Sequence, residues 1–97
     1  MSVLLRERVG AVEVLIINRP AALNAIDRSV LAALDVALVE LAADASLRAG
    51  VLTGAGDKAF VAGADIPSMA QLSPIEAETF AAFGQSVLNR LAALPCP

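Results

Sequence analysis

The order strand, helix, strand between residues 11 and 54 constrains the fold of this chain more than any other feature of its sequence. The run VEVLIIN loses its polar alternation toward its end, which is typical of a strand buried on both faces. Asp27 stands where an N-cap is expected, and apolar residues at helical spacing predict a helix through Ala43. The glycine-flanked run AGVLTG predicts a further strand, buried between two neighbours. Two strands joined by a helix should pair in parallel through a right-handed crossover, so we expect an α/β fold.

A β-hairpin is predicted at the start of the chain. Two β-prone runs, from Val3 to Arg8 and from Ala11 to Asn18, meet at Val9-Gly10. Because the second run is also the first strand of the strand–helix–strand unit, the hairpin and that unit should share one sheet.

A second long helix is predicted after the last strand. The sequence SPIE, residues 73–76, has the spacing of a capping box with proline at the first helical position, and the helix should reach about Leu94. Its apolar stripe consists of Phe80, Phe83, Val87, Leu91 and Leu94. Since no strand follows within the 97 residues to cover this stripe, we expect it to be exposed and to promote self-association.

The composition excludes several classes of function. Hydrophobic residues make up 58% of the 97 residues and charged residues 18%, which is typical of a folded domain. The net charge of −3 is spread without a basic stripe, so nucleic acid is not an expected partner. No apolar run approaches the roughly 18 residues of a membrane span. With no histidine and Cys96 as the single cysteine, we expect no metal site and a cytoplasmic setting.

The segment KAFVAGADI, residues 58–66, carries few side chains that can react or bind a metal. It follows the carboxyl end of a predicted parallel strand, where open α/β folds bind their ligands. Small residues at 62–64 would let a ligand approach the backbone closely. A helix that begins after Gly63 would offer free N–H groups able to stabilise an oxyanion. An ordinary turn followed by one helical turn explains the same residues, and the sequence pattern alone leaves both interpretations open.

A dinucleotide-binding segment and a pair of catalytic carboxylates are weaker alternatives. GAGDKA, residues 54–59, fits the loose glycine fingerprint, and Glu76 lies about 20 residues beyond Gly56. That fingerprint needs a helix to begin at its second glycine, and DKAFVAGAD shows no helical apolar stripe. Glu76 and Glu78 do not converge either, because residues two apart on a helix face different sides.

Three stretches of the chain resemble the start of the enoyl-CoA hydratase/isomerase, or crotonase, family. They are NRPAALNAI (18–26), VLTGAGDKAFVAGADI (51–66) and the helix that follows, and the similarity is collinear over essentially all 97 residues. The resemblance implies the crotonase spiral fold of repeated ββα units, in agreement with the hairpin and the strand–helix–strand pattern. It also implies that residues 1–97 are the N-terminal part of such a domain, truncated after the second long helix.

The resemblance implies a role for five positions. In the family, the backbone N–H after the glycine of AGAD forms one half of the oxyanion hole, and that residue here is Ala64. Backbone atoms around Ala62, Asp65 and Ile66, beside Ala64, line the adenine and pantetheine path of coenzyme A. Ala25 in the LNAI loop lies along the same path. The implied ligand is an acyl-CoA thioester, with coenzyme A as part of the substrate and no separately bound cofactor.

The implied parent reaction is hydration of a 2-enoyl-CoA in fatty acid oxidation, with isomerisation as a related activity, through an enolate held by two N–H groups. Family members assemble as homotrimers or hexamers, an assembly less expected for residues 1–97 alone. A non-catalytic acyl-CoA-binding or interaction fragment is the alternative from another class.

Two kinds of departure from the family pattern affect these expectations. Ala21-Ala22 stand where a basic residue near the coenzyme A phosphate is frequent, and Pro67 stands where a lysine or another polar residue is common. Family members also continue into a glycine-rich strand–loop with the second oxyanion N–H, and later into the acid–base glutamates. We therefore expect residues 1–97 alone to be inactive.

Overall fold

The computed structural model describes residues 2–56 and 72–96. This part of the chain forms three strands, two long helices and one short 3₁₀ turn. The strands are β1 (Leu4–Val9), β2 (Val12–Ile17) and β3 (Ala49–Gly54), and the helices are α1 (Arg28–Ala42) and α2 (Pro74–Ala92). The 3₁₀ turn covers Pro20–Ala22. Neither helix of this part combines the length and the apolar character that crossing a membrane requires.

β1 and β2 form the antiparallel hairpin that the sequence predicts. The pairing runs from Leu4 opposite Ile17 to Val9 opposite Val12, which leaves two residues for the turn. Gly10 has φ +61°, the left-handed value that a type II′ turn requires at its first central residue. The strand boundaries differ from the expected ones by a single residue, because pairing stops where the turn begins.

β3 pairs with β2 in parallel along its whole length, as the strand–helix–strand order predicts. The register joins Val12 to Ala49 at one end and Ile17 to Gly54 at the other. α1 connects the two strands, so the hairpin and the parallel pair share one sheet. The predicted α/β arrangement is therefore confirmed for the described residues.

The position of β3 within the sheet differs from the prediction. The described strands have the order β1-β2-β3, so β2 lies in the centre and β3 at an edge. Val51 is 47% exposed, and β3 contains no buried residue. The prediction of a strand buried between neighbours is wrong for this part of the chain, because a short apolar run does not specify how many neighbours a strand has.

The core lies between α1 and one face of the sheet. On β2, Leu15 and Ile17 are buried, whereas the residues of the opposite face are half-buried, so β2 is not fully buried on both faces as expected. The buried residues of α1 recur at helical spacing and include the predicted stripe: Val30, Leu31, Leu34, Ala37, Leu38 and Leu41. This contact fixes α1 on the sheet, since burial of aliphatic side chains is the main stabilising contribution in a core.

α2 begins with the capping box that the sequence predicts. The hydroxyl of Ser73 accepts a hydrogen bond from the N–H of Glu76 at 3.1 Å, and the carboxylate of Glu76 accepts one from the N–H of Ser73 at 3.0 Å. The hydrogen bonds with Ser73 lower the pKa of Glu76 below its ordinary value. Glu76 therefore serves as a capping carboxylate.

The apolar stripe of α2 packs against α1 and is not left uncovered. Val87 is completely buried and Phe80 is 9% exposed. Further along the two helices, Nε of Arg90 lies 2.7 Å from Oδ1 of Asp35. The two groups form an ion pair whose angles do not meet those of a hydrogen bond. The expectation of an exposed stripe is wrong, because α1 presents apolar residues to α2 as well as to the sheet.

A cluster of charges holds the hairpin against the C-terminal end of α1. Glu13 on β2 is only 6% exposed. Arg6 donates to its carboxylate at 2.8 Å, and Nη1 of Arg8 lies 3.6 Å from the same group. Arg6 also donates to Glu40, and Arg8 donates to Asp44 at 3.0 Å. The hydrogen bond with Glu13 is the main cause of the raised pKa of Arg6, and two facing guanidinium groups explain how a carboxylate is tolerated in this position.

Replacement of Glu13 with glutamine should lower the free energy of unfolding by about 1–2 kcal/mol, because the acceptor of the hydrogen bond from Arg6 loses its charge and two guanidinium groups then lack their buried counter-charge. Glu7 on β1 is exposed, so Glu7→Gln should change the same quantity by less than about 0.5 kcal/mol. Urea unfolding followed by circular dichroism measures both. Equal effects of the two substitutions would contradict the role assigned to Glu13.

Candidate functional site

The carboxyl ends of β2 and β3 lie side by side, and the segments that follow them meet there. Ile17 pairs with Gly54 at the last position of the register, and the N–H of Ala55 donates to the carbonyl of Ile17 at 2.8 Å. After β2 the chain enters the β2–α1 loop, residues 19–27. After β3 it leads toward the segment KAFVAGADI. This carboxyl edge of the sheet is the candidate functional site, since parallel strands present ligand-binding loops at such edges.

Both helices also begin at this edge. Asp27 caps α1, because its Oδ1 accepts a hydrogen bond from the N–H of Val30 at 3.0 Å. Leu31 near the start of α1 and Phe80 in the first half of α2 line one groove, and further along Arg90 of α2 pairs with Asp35 of α1. The two helices therefore run in the same direction, with their N-termini at the same end. Helix N-termini carry partial positive charge, which favours an anionic group nearby.

The β2–α1 loop turns sharply at Leu23 and Asn24. Both residues have left-handed backbone conformations, with φ of 54° and 59°. Asparagine adopts this conformation readily, whereas leucine does so at an energetic cost. The N–H of Asn24 donates to the carbonyl of Arg19 at 2.8 Å, which closes the turn around Pro20–Ala22. The hydrogen bonds around Asn24 therefore maintain a strained conformation at Leu23.

Asn24 also joins the loop to the end of β3. The residue is 1% exposed. Its Oδ1 accepts a hydrogen bond from the N–H of Arg19 at 2.9 Å, and its Nδ2 donates to the carbonyl of Ala55 at 2.9 Å. The sequence analysis missed Asn24, although an asparagine in a turn is a signal for side-chain bonding to the backbone. One side chain thus connects the two segments that form the edge.

Arg19 fixes the opposite side of the loop. Its Nη1 donates to the carbonyl of Ala25 at 2.6 Å and lies 3.6 Å from Oδ2 of Asp27. The N–H of Ala25 donates to the carbonyl of Ala22 at 3.1 Å, and Ala25 is 9% exposed. Of the predicted site residues, Ala25 is therefore at the carboxyl edge. It can offer a ligand its methyl group and the second lone pair of its carbonyl oxygen.

The remaining predicted site residues lie outside the described residues. They are Ala62, Ala64, Asp65 and Ile66. Gly56, near the end of the described segment, has φ +82°, a conformation that glycine tolerates. A Cβ atom at this position would lie 3.5 Å from Cβ of Pro20. The chain therefore leaves β3 in contact with the 3₁₀ turn of the β2–α1 loop.

Two carboxylates at this edge have structural roles. The carboxylates of Asp27 and Glu76 cap the two helices, and Glu78 is exposed. Cys96 lies near the other ends of the helices, where it lines a cavity of about 110 Å³ with Leu41 and other apolar residues. No group of three potential metal ligands occurs within residues 2–56 and 72–96. What this part of the edge offers chemically is backbone hydrogen bonding and helix N-termini.

An apolar groove of about 300 Å³ lies between α1 and α2 beside the loop. Its lining combines Ile26 of the loop with residues of both helices, among them Leu31, Leu34, Phe80 and Leu88. None of its described lining residues is charged. The groove suits an apolar chain and lies at the lower end of the volumes of ligand-binding pockets.

Comparisons with known proteins agree with this geometry. Residues 7–97 match the family model described as Enoyl-CoA hydratase/isomerase. The short-chain-enoyl-CoA hydratase of Clostridium acetobutylicum is 44% identical over 91 residues, which cover 94% of this chain and 35% of that protein. The crotonyl-CoA hydratase of Syntrophomonas wolfei is 41% identical over 91 residues, with 94% and 35% covered.

Solved structures of related proteins also resemble the chain. The crystal structure of enoyl-CoA hydratase from Mycobacterium smegmatis superposes with a TM-score of 0.93 at 41% identity, and the match covers 98% of this chain and 37% of that one. The chain therefore spans about a third of the length of the relatives that it matches.

Asp27 should make the stability of this edge depend on pH. Burial opposes ionisation of its carboxyl group, but hydrogen bonds from Ser29 and Val30 and the charge of Arg19 outweigh it, so the pKa of Asp27 lies below its ordinary value. A carboxyl group whose pKa is lower in the folded chain stabilises the fold above the unfolded-state value of about 3.9. This stabilisation is lost as the pH falls through the folded-state pKa.

Asp27→Ala should therefore lower the free energy of unfolding by about 1 kcal/mol at pH 7 and by less at pH 3. Asp27→Asn keeps a capping oxygen without the charge, so its deficit relative to the wild type at pH 7 should shrink on acidification. Urea unfolding at the two pH values measures both variants. A deficit of Asp27→Asn that stays constant between pH 7 and pH 3 would contradict the role of the charge.

Proposed function

Because the chain belongs to the enoyl-CoA hydratase/isomerase family, we propose that the protein binds acyl-coenzyme A thioesters and hydrates 2-enoyl-CoA in fatty acid oxidation. The family match over residues 7–97 carries this proposal. The described residues have the fold of the crotonase family, as their ββα order predicts. The names of the two hydratase relatives favour hydration over other reactions of the family.

Hydration adds water across the C2=C3 double bond of the substrate, with the oxygen bonded to C3 and a proton to C2. When water attacks C3, the electron pair of the double bond moves toward the thioester carbonyl, whose oxygen becomes negatively charged. In our proposal, the backbone N–H of Ala64 is one of two donors that stabilise this enolate oxygen. Donors aimed at the position where charge develops lower the barrier because they need no rearrangement during the reaction.

Hydration also needs groups that take a proton from water and deliver one to C2. Among the described residues, Asp27 and Glu76 are used as helix caps, and Glu13 is held by arginines at the other end of β2. We therefore assign the acid–base function to glutamates beyond residue 97, as the family resemblance implies. An acyl-CoA-binding protein without catalysis remains the competing function.

The coenzyme A part of the substrate is proposed to lie along Ala25, Ala62, Ala64, Asp65 and Ile66. The carboxyl edge supports this placement, because the two helix N-termini at this edge favour the negatively charged phosphates of coenzyme A. The apolar groove beside the loop supports an acyl chain in the same region. Coenzyme A enters as part of the substrate, and the proposed mechanism uses no metal ion.

The domain, its assembly and its location are also part of the proposal. We place residues 1–97 as the N-terminal part of one crotonase-like domain, which is supported by their coverage of 35% of the Clostridium acetobutylicum hydratase. Assembly into homotrimers or hexamers is proposed from the family resemblance alone. A cytoplasmic location is proposed because the chain contains a single cysteine, Cys96.

The test of the reaction uses the product of the complete reading frame that encodes residues 1–97. It should hydrate crotonyl-CoA, measured as loss of the absorbance of the conjugated thioester. Ala64→Pro removes the backbone N–H and should lower kcat by about 10²–10³-fold, whereas Ala64→Gly keeps the N–H and should lower it far less. Equal losses in the two variants would contradict the role of the N–H. Binding of crotonyl-CoA by the wild type without turnover would favour the non-catalytic alternative.

Residues 1–97 produced alone should show no measurable hydration of crotonyl-CoA. One missing oxyanion donor costs about 10²–10³-fold in rate, and missing acid–base groups cost roughly 10²–10⁴-fold more. The same absorbance assay, with the complete protein as the positive control, measures this. Enzyme-like turnover by the 97-residue chain would mean that one of its own carboxylates is catalytic.

A further inference from the structure

We infer that Asn24 is a positioning residue, which holds the strand end leading to the oxyanion segment in register with the β2–α1 loop. The inference rests on the proposed function for its effect on catalysis. Asn24 acts through the backbone of Ala55, whose carbonyl accepts a hydrogen bond from its Nδ2.

The side chain of Asn24 is suited to this role because both ends of its amide are engaged in opposite directions. Oδ1 accepts from the N–H of Arg19 in the loop, and Nδ2 donates to the carbonyl of Ala55 after β3, both at 2.9 Å. Asn24 and Ala55 are 31 residues apart in the sequence. Because the residue is 1% exposed, water cannot readily replace either bond, and a lost partner would leave a buried polar group unsatisfied.

The peptide groups of Ala55 are held from two directions. The N–H of Ala55 donates to the carbonyl of Ile17 at the end of β2, and its carbonyl accepts from Asn24. The first bond continues the parallel sheet, while the second ties the same residue to the loop. With both bonds in place, the chain leaves β3 from a fixed position, a short distance in sequence before Ala64.

The backbone conformation restricts which side chains can do this. Asn24 has φ 59°, a left-handed conformation that asparagine, aspartate and glycine adopt more readily than other residues. Glycine would keep the conformation and lose the side-chain hydrogen bonds to Arg19 and Ala55. Aspartate would keep an oxygen that accepts from the N–H of Arg19. Its second oxygen would replace the NH₂ group that donates to the carbonyl of Ala55, so that bond would be lost. Both substitutions therefore keep the backbone conformation of the turn and remove the hydrogen bond from residue 24 to Ala55.

A displaced strand end should affect the rate of the reaction more than substrate binding. Misplacement of a catalytic group by about 1 Å can cost on the order of 10²-fold in rate. The charge on the thioester oxygen develops in the transition state, whereas contacts to the nucleotide of coenzyme A are the same before and during the reaction. In the complete protein, Asn24→Gly and Asn24→Asp should therefore lower kcat by about 10–10²-fold and change KM less than about 3-fold.

The experiment compares these variants with Asn18→Ala, a matched control. Asn18 also donates from its Nδ2 to a backbone carbonyl, that of Ser2 at 3.0 Å, but this bond ties the start of the chain and not β3. Steady-state kinetics with crotonyl-CoA and hydrogen–deuterium exchange of the peptides that contain Ala55 are measured on each protein. Exchange near Ala55 should become faster in both Asn24 variants and stay unchanged in the control, and kcat should follow the same pattern. Rates are normalised to the folded fraction from thermal unfolding.

The possible outcomes separate this inference from the proposed function. Unchanged exchange near Ala55 overturns the inference, and so does a kcat equal to that of the wild type or a change confined to KM. A loss of kcat in Asn18→Ala as large as in the Asn24 variants also overturns it. If the wild-type protein does not hydrate crotonyl-CoA, the proposed function fails. In that case the exchange data alone test whether Asn24 holds the end of β3. Faster exchange near Ala55 in the Asn24 variants supports this role, and unchanged exchange overturns it.

Discussion

Parallel pairing between β2 and β3 is the constraint on which the rest of the structure depends. Parallel neighbours cannot be joined by a tight turn, so the chain must cross over the sheet, and α1 forms that crossover. The same pairing places Ile17 beside Gly54, which brings the two following segments within hydrogen-bonding distance. The core, the helix N-termini and the loop that carries Ala25 all take their positions from this one pairing.

The two ends of the sheet differ in their chemistry. At the amino end of β2, a buried carboxylate on Glu13 is neutralised by two arginines of the hairpin, which are also tied to α1. At the carboxyl end, Asp27 and Glu76 accept the capping hydrogen bonds of the two helices, and Arg19 holds the loop. A cluster of two arginines and three carboxylates thus lies at one end, while the other end retains backbone groups and an apolar groove beside its capping residues. The proposed oxyanion site would likewise use peptide N–H groups rather than charged side chains.

Local sequence signals predicted the elements well. The capping residues Asp27 and Ser73 and the boundaries of β3 agree with the structure, because caps and glycine-flanked runs depend on neighbours within a few residues. The family resemblance added Ala25, which belongs to the β2–α1 loop and whose role stays a prediction. The other four site residues also stay predictions and lie outside the described residues.

Features that depend on distant contacts were not predictable in the same way. The edge position of β3 and the burial of Val87 against α1 depend on how whole elements assemble, and no short window of sequence contains that information. The buried state of Glu13 depends on arginines of a different strand. Asn24 was missed for a related reason, since its function depends on a hydrogen bond to Ala55 across the crossover.

The bond between Asn24 and Ala55 has a consequence for the order of folding. The hairpin closes over a two-residue turn and can form early, whereas the Asn24–Ala55 contact closes a separation of 31 residues and must await the docking of α1 and β3. Native-state openings can release such a contact locally, without unfolding of the whole chain. The candidate site is therefore assembled after the hairpin, and its local opening would disable it while the hairpin and α1 remain intact.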